Sequence, residues 1–226
     1  MNLGLLQLSD SALPISGYTH SWGLETAITS RTVHDPESLE RWTRIWLRTS
    51  LGPFEGVVVA AACRSAESDS ISELVELNRL VDASIAPPSI RTASREMGRQ
   101  LLALGSTWHW SERRLGRLLQ SNDWESEPWH HAVAFGLLGQ FAGGDVHEVL
   151  ASFLHQAVLG MIGAGVRAIP VGHTHGQQIL AYLHEEIARL VPELIRRAPV
   201  SAGAGCPQYE ILCDEQTRLY ARMYRS

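Results

Sequence analysis

The chain has 226 residues, of which 45% are hydrophobic and 19% are charged, and its formal net charge at pH 7 is −5. This length and composition fit one globular domain with a substantial core and argue against intrinsic disorder. A general nucleic-acid binder needs a basic excess for its phosphate contacts, so the acidic balance argues against that class. The 19 basic residues include no block of lysines, so the sequence predicts no polybasic membrane-binding segment.

The compartment is indicated by the first residues and by the cysteines. Residues 1–14 carry no positively charged region before a short apolar stretch, so we expect no signal peptide. Glycine, arginine or histidine interrupts each long apolar window, so we expect no membrane span. Three cysteines, Cys63, Cys206 and Cys213, leave one unpaired in any disulfide framework, which indicates a reducing cytoplasm.

Helix signals dominate the first half of the chain. Asp35 followed by Pro36 predicts an N-cap with proline at the first helical position, where its missing N–H matters least. Leu39, Trp42 and Trp46 then recur at helical spacing and predict a buried stripe. Further helices are predicted to start at Ser70 with Glu73, after Pro87-Pro88, at Asp145 with Glu148, and at Thr174 with Gln177.

Indications of β-structure are weak. The β-prone run 57–59 is followed by three alanines, which favour a helix. Pro170 is expected to end the helix that starts at Asp145. We therefore predict an all-α, single-domain helical bundle over residues 1–226, and we interpret Thr107–Trp129 as a loop lying over the bundle.

Histidines suggest a metal site. His173 and His175 lie on one short segment, and His130, His131 and His109 are further candidates. Imidazoles bind nickel or zinc well, but a site needs three or four ligands, and the sequence has no HExxH or paired CxxC spacing. We favour a structural role for these histidines, with transient metal contact as the alternative.

The sequence lacks several catalytic motifs that are common in hydrolases and nucleotide-binding enzymes. The chain has no GxSxG elbow and no recognisable Cys–His motif, and its glycine-rich pieces at 143–144 and 202–205 lack the Lys-Ser/Thr of a P-loop. These pieces are typical of turns. The sequence therefore predicts a protein that is not an enzyme.

Small residues mark one helix of the second half. Gly160, Gly163 and Gly165 each disfavour a helix by roughly 1 kcal/mol relative to alanine, so their presence indicates close packing. The packing partner is either another helix of the same subunit or a second subunit. The spacing leaves both interpretations open.

The C-terminus combines an apolar and a basic side. A helix over Tyr209–Tyr224 would place apolar residues on one side and basic residues on another, with two tyrosines one turn apart. These groups are Leu212, Leu219 and Met223; Arg218, Arg222 and Arg225; and Tyr220 and Tyr224. The arginines either complement exposed carbonyl groups at the helix end or, with the tyrosines, anchor a partner protein.

Several segments, in order along the chain, resemble the UreF family of urease accessory proteins. The segment 5–25 resembles the family's LQLxSPALPVGGFxxSxGLE signature, and 97–102 resembles its MGxxLL element. The segments 131–136, 165–174 and 220–226 resemble H-x-x-x-F-G, R-x-[IV]-P-L-G-Q-T and S-R-L-F-R-S. Any one match is weak, whereas the ordered set is specific.

This resemblance implies an all-α protein, usually a homodimer, that bridges UreD (also called UreH) and the nickel-carrying GTPase UreG on apo-urease. It implies no stably bound cofactor, transient contact with nickel, and no nucleic-acid or membrane partner. The segment 1–20 and the tail 218–226 would dock partners. The residues expected to bind partners are Tyr18, Glu25, Arg167, Tyr220, Arg222, Tyr224 and Arg225.

Two positions depart from the family pattern and leave alternatives open. The family usually has M-R-H-E where this chain has residues 212–215, and glutamine where it has His173. One alternative is a helical metal-dependent enzyme that uses His173, His175 and either His130 or His131. The other is a paralogue that no longer serves urease, which the change at Asp214 permits.

Overall fold

The computed structural model describes residues 1–119 and 128–226, and all regular elements in these two ranges are helical. This confirms the prediction of an all-α fold. In chain order the α-helices are α1 Leu3–Leu8, α2 Leu24–Thr29, α3 Pro36–Trp46, α4 Val57–Glu67, α5 Ile71–Ser84, α6 Pro88–Gly105, α7 Glu112–Leu119, α8 His131–Phe141, α9 Val146–Ala168, α10 His173–Ile195 and α11 Pro207–Gln216. A π-helical segment, Leu47–Gly56, joins α3 to α4, and short 3₁₀ helices lie at Gly17–Thr19 and Pro199–Ser201.

Helix α8 is the centre of the core, because nearly all of its residues are buried and both α4 and α6 pack closely against it. The close approach depends on glycines. A Cβ at Gly136 would lie 2.6 Å from the carbonyl oxygen of Val59, and one at Gly98 would lie 2.1 Å from that of Trp129. Main chain therefore packs directly on main chain at both crossings.

Helices α9 and α10 form a hairpin along one side of the core. As predicted, α9 ends just before Pro170. In α10, Ile179, Leu183 and Ile187 are buried. By length and composition α9 could cross a membrane, but half of its most apolar window is buried inside the protein. A core helix passes the same test, and α9 lies against α3, α4, α8 and α10.

Proline explains the π-helical segment. Pro53 lies inside it and has no N–H to donate, so the carbonyl group of Thr49 loses its usual helical partner. The N–H of Gly205 replaces that partner at 2.6 Å, and the N–H of Gly203 donates to Pro53 at 3.1 Å. The glycine-rich piece at 202–205 thus covers the irregular part of the helix.

Two of the predicted helix starts are confirmed in detail. The carboxylate of Asp35 accepts the Ser38 N–H at 2.8 Å, and Asp145 accepts the Glu148 N–H at 2.9 Å. In the stripe that follows Asp35, Leu39 and Trp46 are buried, while Trp42 is partly buried.

Three other local predictions need correction. Helix α5 starts after Ser70 as expected, but Ser70 makes no capping bond, because Glu73 instead accepts the Ser65 hydroxyl at 2.8 Å. Helix α10 starts at His173 with Gly172 as its N-cap, so Thr174 does not cap it. The predicted loop over Thr107–Trp129 contains helix α7 and the buried Trp108; its residues 120–127 lie outside the described part.

The glycines of α9 differ in what surrounds them. A Cβ at Gly165 would lie 2.6 Å from the Leu39 side chain, so this glycine serves a helix crossing within the chain. A Cβ at Gly160 would meet nothing within 4 Å, and one at Gly163 would meet only the end of Arg167, at 3.9 Å. Gly160 and Gly163 therefore form an open face.

Candidate docking site at the C-terminal tail

The C-terminal tail, residues 217–226, folds back onto the segment before α2. The Arg225 N–H donates to the carbonyl oxygen of Thr19 at 2.8 Å, and the N–H groups of Ser21 and Trp22 donate to a main-chain oxygen of Ser226 at 2.5 and 3.1 Å. The last residues of the chain are therefore held against residues 19–22.

The predicted closing helix is shorter than expected. Helix α11 ends at Gln216, so Arg218, Arg222 and Arg225 do not share a helical face. Arg218 pairs with Asp214 at 2.7 Å within the helix end, whereas Arg225 pairs with Glu96 of α6 at 3.3 Å. The tail is instead an irregular strap held by contacts distant in sequence.

Glu25 is the main anchor of this strap. One oxygen of its carboxylate accepts the Met223 N–H at 2.6 Å, and the other accepts the Tyr224 N–H at 3.1 Å. A carboxylate can satisfy several main-chain donors at once, and such charged hydrogen bonds are stronger than neutral ones. Glu25 thus replaces the intrahelical partners that the Met223 and Tyr224 amides would have in a longer helix.

Arg167 and Tyr224 form the second anchor. The Arg167 guanidinium donates to the Tyr224 hydroxyl at 3.2 Å and to the carbonyl oxygen of Tyr18 at 3.1 Å, and it lies 5.5 Å from the Tyr224 ring centroid. The Tyr224 hydroxyl in turn donates to the carbonyl oxygen of Ala164 at 2.9 Å. Tyr224 is only 4% exposed, so this predicted partner-binding side chain is part of the protein's own core.

Gln216 fixes the join between α11 and α2. Its side-chain oxygen accepts the Ser21 hydroxyl at 3.0 Å and the Gly23 N–H at 3.1 Å, and Gln216 is fully buried. Gly23 has φ +82, and a Cβ there would lie 3.0 Å from the sulfur of Cys213. Glycine is required at this turn, since other residues strain in the left-handed region and would also collide with α11.

His20 is a buried neutral group in the same join. Burial, and then the nearby Arg225, lower the pKa of His20 to about 4. Its Nδ1 lies 2.6 Å from the Ser226 hydroxyl. The uncharged ring therefore helps to hold the end of the tail at neutral pH.

Four side chains point outward from this scaffold, and we call them the tail surface: Tyr18, Tyr220, Arg222 and Met223. Tyr18 is 64% exposed, Tyr220 is fully exposed and Met223 is 63% exposed. Arg222 is also exposed and has no hydrogen bond or ion pair to the described residues. Of the seven residues predicted to bind partners, only Tyr18, Tyr220 and Arg222 belong to this surface, whereas Glu25, Arg167, Tyr224 and Arg225 brace it.

The candidate metal histidines are not brought together. His173 and His175 are exposed at the start of α10, while His130 is fully buried, with its ring nitrogens 2.9 Å from Asp82 and 3.0 Å from the Ser94 hydroxyl. His131 is buried against Phe135 and Phe153. Within residues 1–119 and 128–226, no group of three or more histidine, cysteine or acidic side chains is placed to hold a metal ion.

A cavity of about 270 Å³ behind the tail surface was not predicted. Its wall includes Arg167, Trp22, His131 and Glu55. Burial raises the pKa of Glu55 to about 7 and lowers the pKa of His131 to about 4. Glu55 lies in the π-helical segment, and Pro53 within a helical pattern is the sequence feature that could have indicated this irregular segment.

Fold and site together define an all-helical protein in which a set of polar contacts holds the C-terminal tail against the helical bundle. The sequence model of the UreF family matches residues 33–184. A relative named urease accessory protein UreF from Arthrobacter sp. (strain FB24) is 32% identical over 224 residues, covering 99% of this chain and 96% of that protein. Proteins of the same name from Kocuria rhizophila and Nostoc sp. are 31% and 27% identical, with 99% of this chain covered in each.

The chain belongs to the UreF family. This confirms the resemblance seen in the ordered sequence blocks. Because the relatives are named as accessory proteins, membership also confirms that the chain is not an enzyme.

Proposed function

We propose that the protein is a non-catalytic adaptor in urease maturation, bridging UreD (UreH) and the nickel-carrying GTPase UreG on apo-urease. The observation that carries the docking part is the braced tail, which presents the tail surface on a rigid support. Tyrosine and arginine are the residues that most often dominate binding energy at protein interfaces.

The bracing supports this role energetically. A free C-terminal strap would lose conformational entropy on docking, and that loss weakens affinity. Glu25 and Arg167 already hold the strap by its main chain and by Tyr224, so Tyr220, Arg222 and Met223 start from fixed positions. We expect the segment 1–20 and the tail 218–226 to dock UreD (UreH) together, since Tyr18 lies beside the strap.

The remaining parts of the proposal concern nickel and assembly. Nickel, as cargo of the complex, would contact this subunit only transiently, and no cofactor would be bound stably. The open face at Gly160 and Gly163 suits packing of a second copy, which gives a homodimer. The site of action would be the cytoplasm, with neither nucleic acid nor membrane as a partner.

The test is co-expression with UreD and UreG, followed by affinity purification and a urease activation assay. The variant Tyr220→Ala/Arg222→Glu is expected to abolish co-purification of UreD while circular dichroism and unfolding remain those of the unmodified protein, because both side chains lie outside the core. The matched control is Tyr182→Ala/Arg196→Glu, which changes an exposed tyrosine and an exposed arginine on α10 and just after it. Undiminished co-purification with the tail-surface variant would refute the docking site.

A UreF paralogue that no longer serves urease is a second candidate, motivated by the residues at 212–215. Asp214 lies near the surface and pairs with Arg218 within its own helix end, so its side chain is already used locally. Complementation separates the two candidates. Restored urease activity in cells that lack their own UreF supports the adaptor role, and absence of restoration despite normal protein levels supports the paralogue.

A further inference from the structure

Two histidines meet across the α9–α10 hairpin, and neither of them lines the cavity described above. Nδ1 of His155 on α9 lies 3.2 Å from Nε2 of His184 on α10, and their ring centroids are 5.2 Å apart with planes tilted by 34°. His155 is half-buried and His184 is exposed, so the pair faces solvent. No part of the proposed adaptor role uses these residues.

The backbone under the pair is rigid. Phe153 and Leu154 beside His155 are buried, and so is Leu183 beside His184. Helices α9 and α10 pack along each other, so the two imidazoles are held in register by the core rather than by a flexible loop. This preorganisation is what a surface metal site requires.

The rings are also chemically suited to bind a cation. Burial and the neighbouring His184 lower the pKa of His155, which keeps its imidazole neutral at neutral pH. Neutral imidazole is the form that ligates a metal. In the metal-free pair, one facing nitrogen carries a proton and donates to the other.

We propose that His155 and His184 form a two-histidine half-site for a divalent transition-metal cation such as Ni²⁺, Zn²⁺ or Cu²⁺. With metal–nitrogen bonds of about 2.0–2.1 Å, the observed 3.2 Å separation subtends roughly 100° at the metal, between octahedral and tetrahedral angles. Both rings must rotate to aim their two lone pairs at one ion. Water fills the remaining coordination positions on the solvent side.

Binding needs no redox step and no net loss of protons from the neutral pair. The ring that donates in the metal-free state moves its proton to its other nitrogen through solvent, and the second ring already carries its proton on the far side. Both facing nitrogens then offer lone pairs to the ion. Because imidazole nitrogens are the ligands, the site should bind Cu²⁺ more tightly than Ni²⁺, and it should not bind Mg²⁺.

Other histidines serve as matched controls. His147 lies exposed in the first turn of α9, and His175 lies exposed in the first turn of α10. Neither is paired with another imidazole in the described part of the chain. They test whether a histidine on these helices binds metal without a facing partner.

The experiment is calorimetric titration of the isolated full chain with Ni²⁺, Zn²⁺ and Mg²⁺, together with imidazole NMR. We expect one saturable Ni²⁺ or Zn²⁺ site per chain, with the imidazole signals of both His155 and His184 shifting. His155→Gln and His184→Gln should each weaken it by about tenfold or more, since loss of even an outer-shell partner costs 10–100-fold.

His147→Gln and His175→Gln should leave the titration unchanged. The proposal is overturned if the unmodified chain shows no saturable site, if the single variants bind as well as it does, or if Mg²⁺ binds equally. The measurement uses no partner protein, so its failure is distinct from a failure of UreD docking.

Discussion

Glu25 and Tyr224, 199 residues apart in sequence, are joined by a main-chain hydrogen bond of 3.1 Å from the Tyr224 N–H to the Glu25 carboxylate. The second oxygen of that carboxylate accepts the Met223 N–H at 2.6 Å. One acidic side chain on α2 therefore satisfies two consecutive amides of the tail. Tyr220, Arg222 and Met223 of the tail surface lie beyond the end of α11, and this carboxylate holds their main chain at Met223.

Glu25→Gln should loosen the tail without unfolding the bundle. An amide has only one accepting oxygen and no charge, so at least one of the two tail amides loses its partner. Hydrogen bonds to charged groups contribute about 1.5–3 kcal/mol, and we expect the free energy of unfolding to fall by about that amount. Hydrogen exchange should quicken at Met223 and Tyr224 while α8 stays protected.

The control for this change is Glu185→Gln. Glu185 is exposed on α10, where it pairs only with Arg189 one turn away, and such surface pairs contribute little. If the two variants have the same free energy of unfolding and the same hydrogen-exchange rates at Met223 and Tyr224, Glu25 does not anchor the tail.

Arg167 and Tyr224 should be energetically coupled. Tyr224→Phe removes the hydroxyl that donates to Ala164 in a buried hydrogen bond and accepts from Arg167 in a partly buried one. Arg167→Lys keeps the charge but cannot reach both Tyr18 and Tyr224 with the same planar group. Each single change is expected to cost about 1–3 kcal/mol.

The double variant should cost less than the sum of the two single changes, by about 0.5 kcal/mol or more, because they break one shared interaction. Chemical denaturation of the four proteins measures this coupling. Strict additivity would show that the two side chains act independently, contrary to the geometry.

Local signals were predictable from the sequence, and contacts distant in sequence were not. The caps at Asp35 and Asp145 were predicted because the donor and acceptor lie within three residues. The predicted capping box at Ser70 is absent, because the Glu73 carboxylate accepts a hydrogen bond from Ser65 on the preceding helix instead. The prediction of a helix up to Tyr224 was wrong for a similar reason. Glu25, which is distant in sequence, accepts the hydrogen bonds of the tail amides that a longer helix would have satisfied.

At the candidate docking site, too, the sequence indicated residues but not their long-range contacts. The sequence pointed to residues 18, 25, 167 and 224, which the structure brings together around the tail. Residue type alone, however, cannot tell a side chain that binds a partner from one that holds the protein's own tail. Both uses favour arginine and tyrosine. Only burial separates them, and burial of Tyr224 follows from packing against Ala164 on a helix about 60 residues away.

Glu55 should make stability depend on pH near neutrality. Burial raises its pKa in the folded protein to about 7 from an ordinary value of 4.5, so the folded state binds more protons between these values. Its contribution to stability is therefore fully present below pH 4.5 and is lost as pH rises through 7. Glu55→Gln should be about as stable as the unmodified protein at pH 5 and more stable at pH 8, by up to about 3 kcal/mol.

The measurement is denaturant unfolding at several pH values, with Glu215→Gln as the exposed control. His20 and His131 act in the opposite direction, since burial lowers their pKa values to about 4 and stability is lost as pH falls below 6.5. Because neither Glu55→Gln nor the control changes these histidines, both variants should still lose stability as pH falls below 6.5. A Glu55→Gln variant that gains no stability relative to the control between pH 5 and pH 8 would contradict the raised pKa of Glu55.

Gly160→Ala should separate the two interpretations of the α9 glycines. No atom lies within 4 Å of a Cβ added there, so within one chain alanine should stabilise the helix by about 0.5–1 kcal/mol. Gly165→Ala is the matched comparison on the same helix, and it should destabilise the protein because Leu39 lies 2.6 Å from the added carbon.

Analytical ultracentrifugation of the Gly160→Ala variant adds a second measurement, the dissociation constant of a dimer. If a second copy packs on the open face, Gly160→Ala pushes the two backbones apart and raises the dimer dissociation constant even as the single chain becomes more stable. A dimer that assembles as tightly with alanine as with glycine would place the subunit contact elsewhere on the molecule.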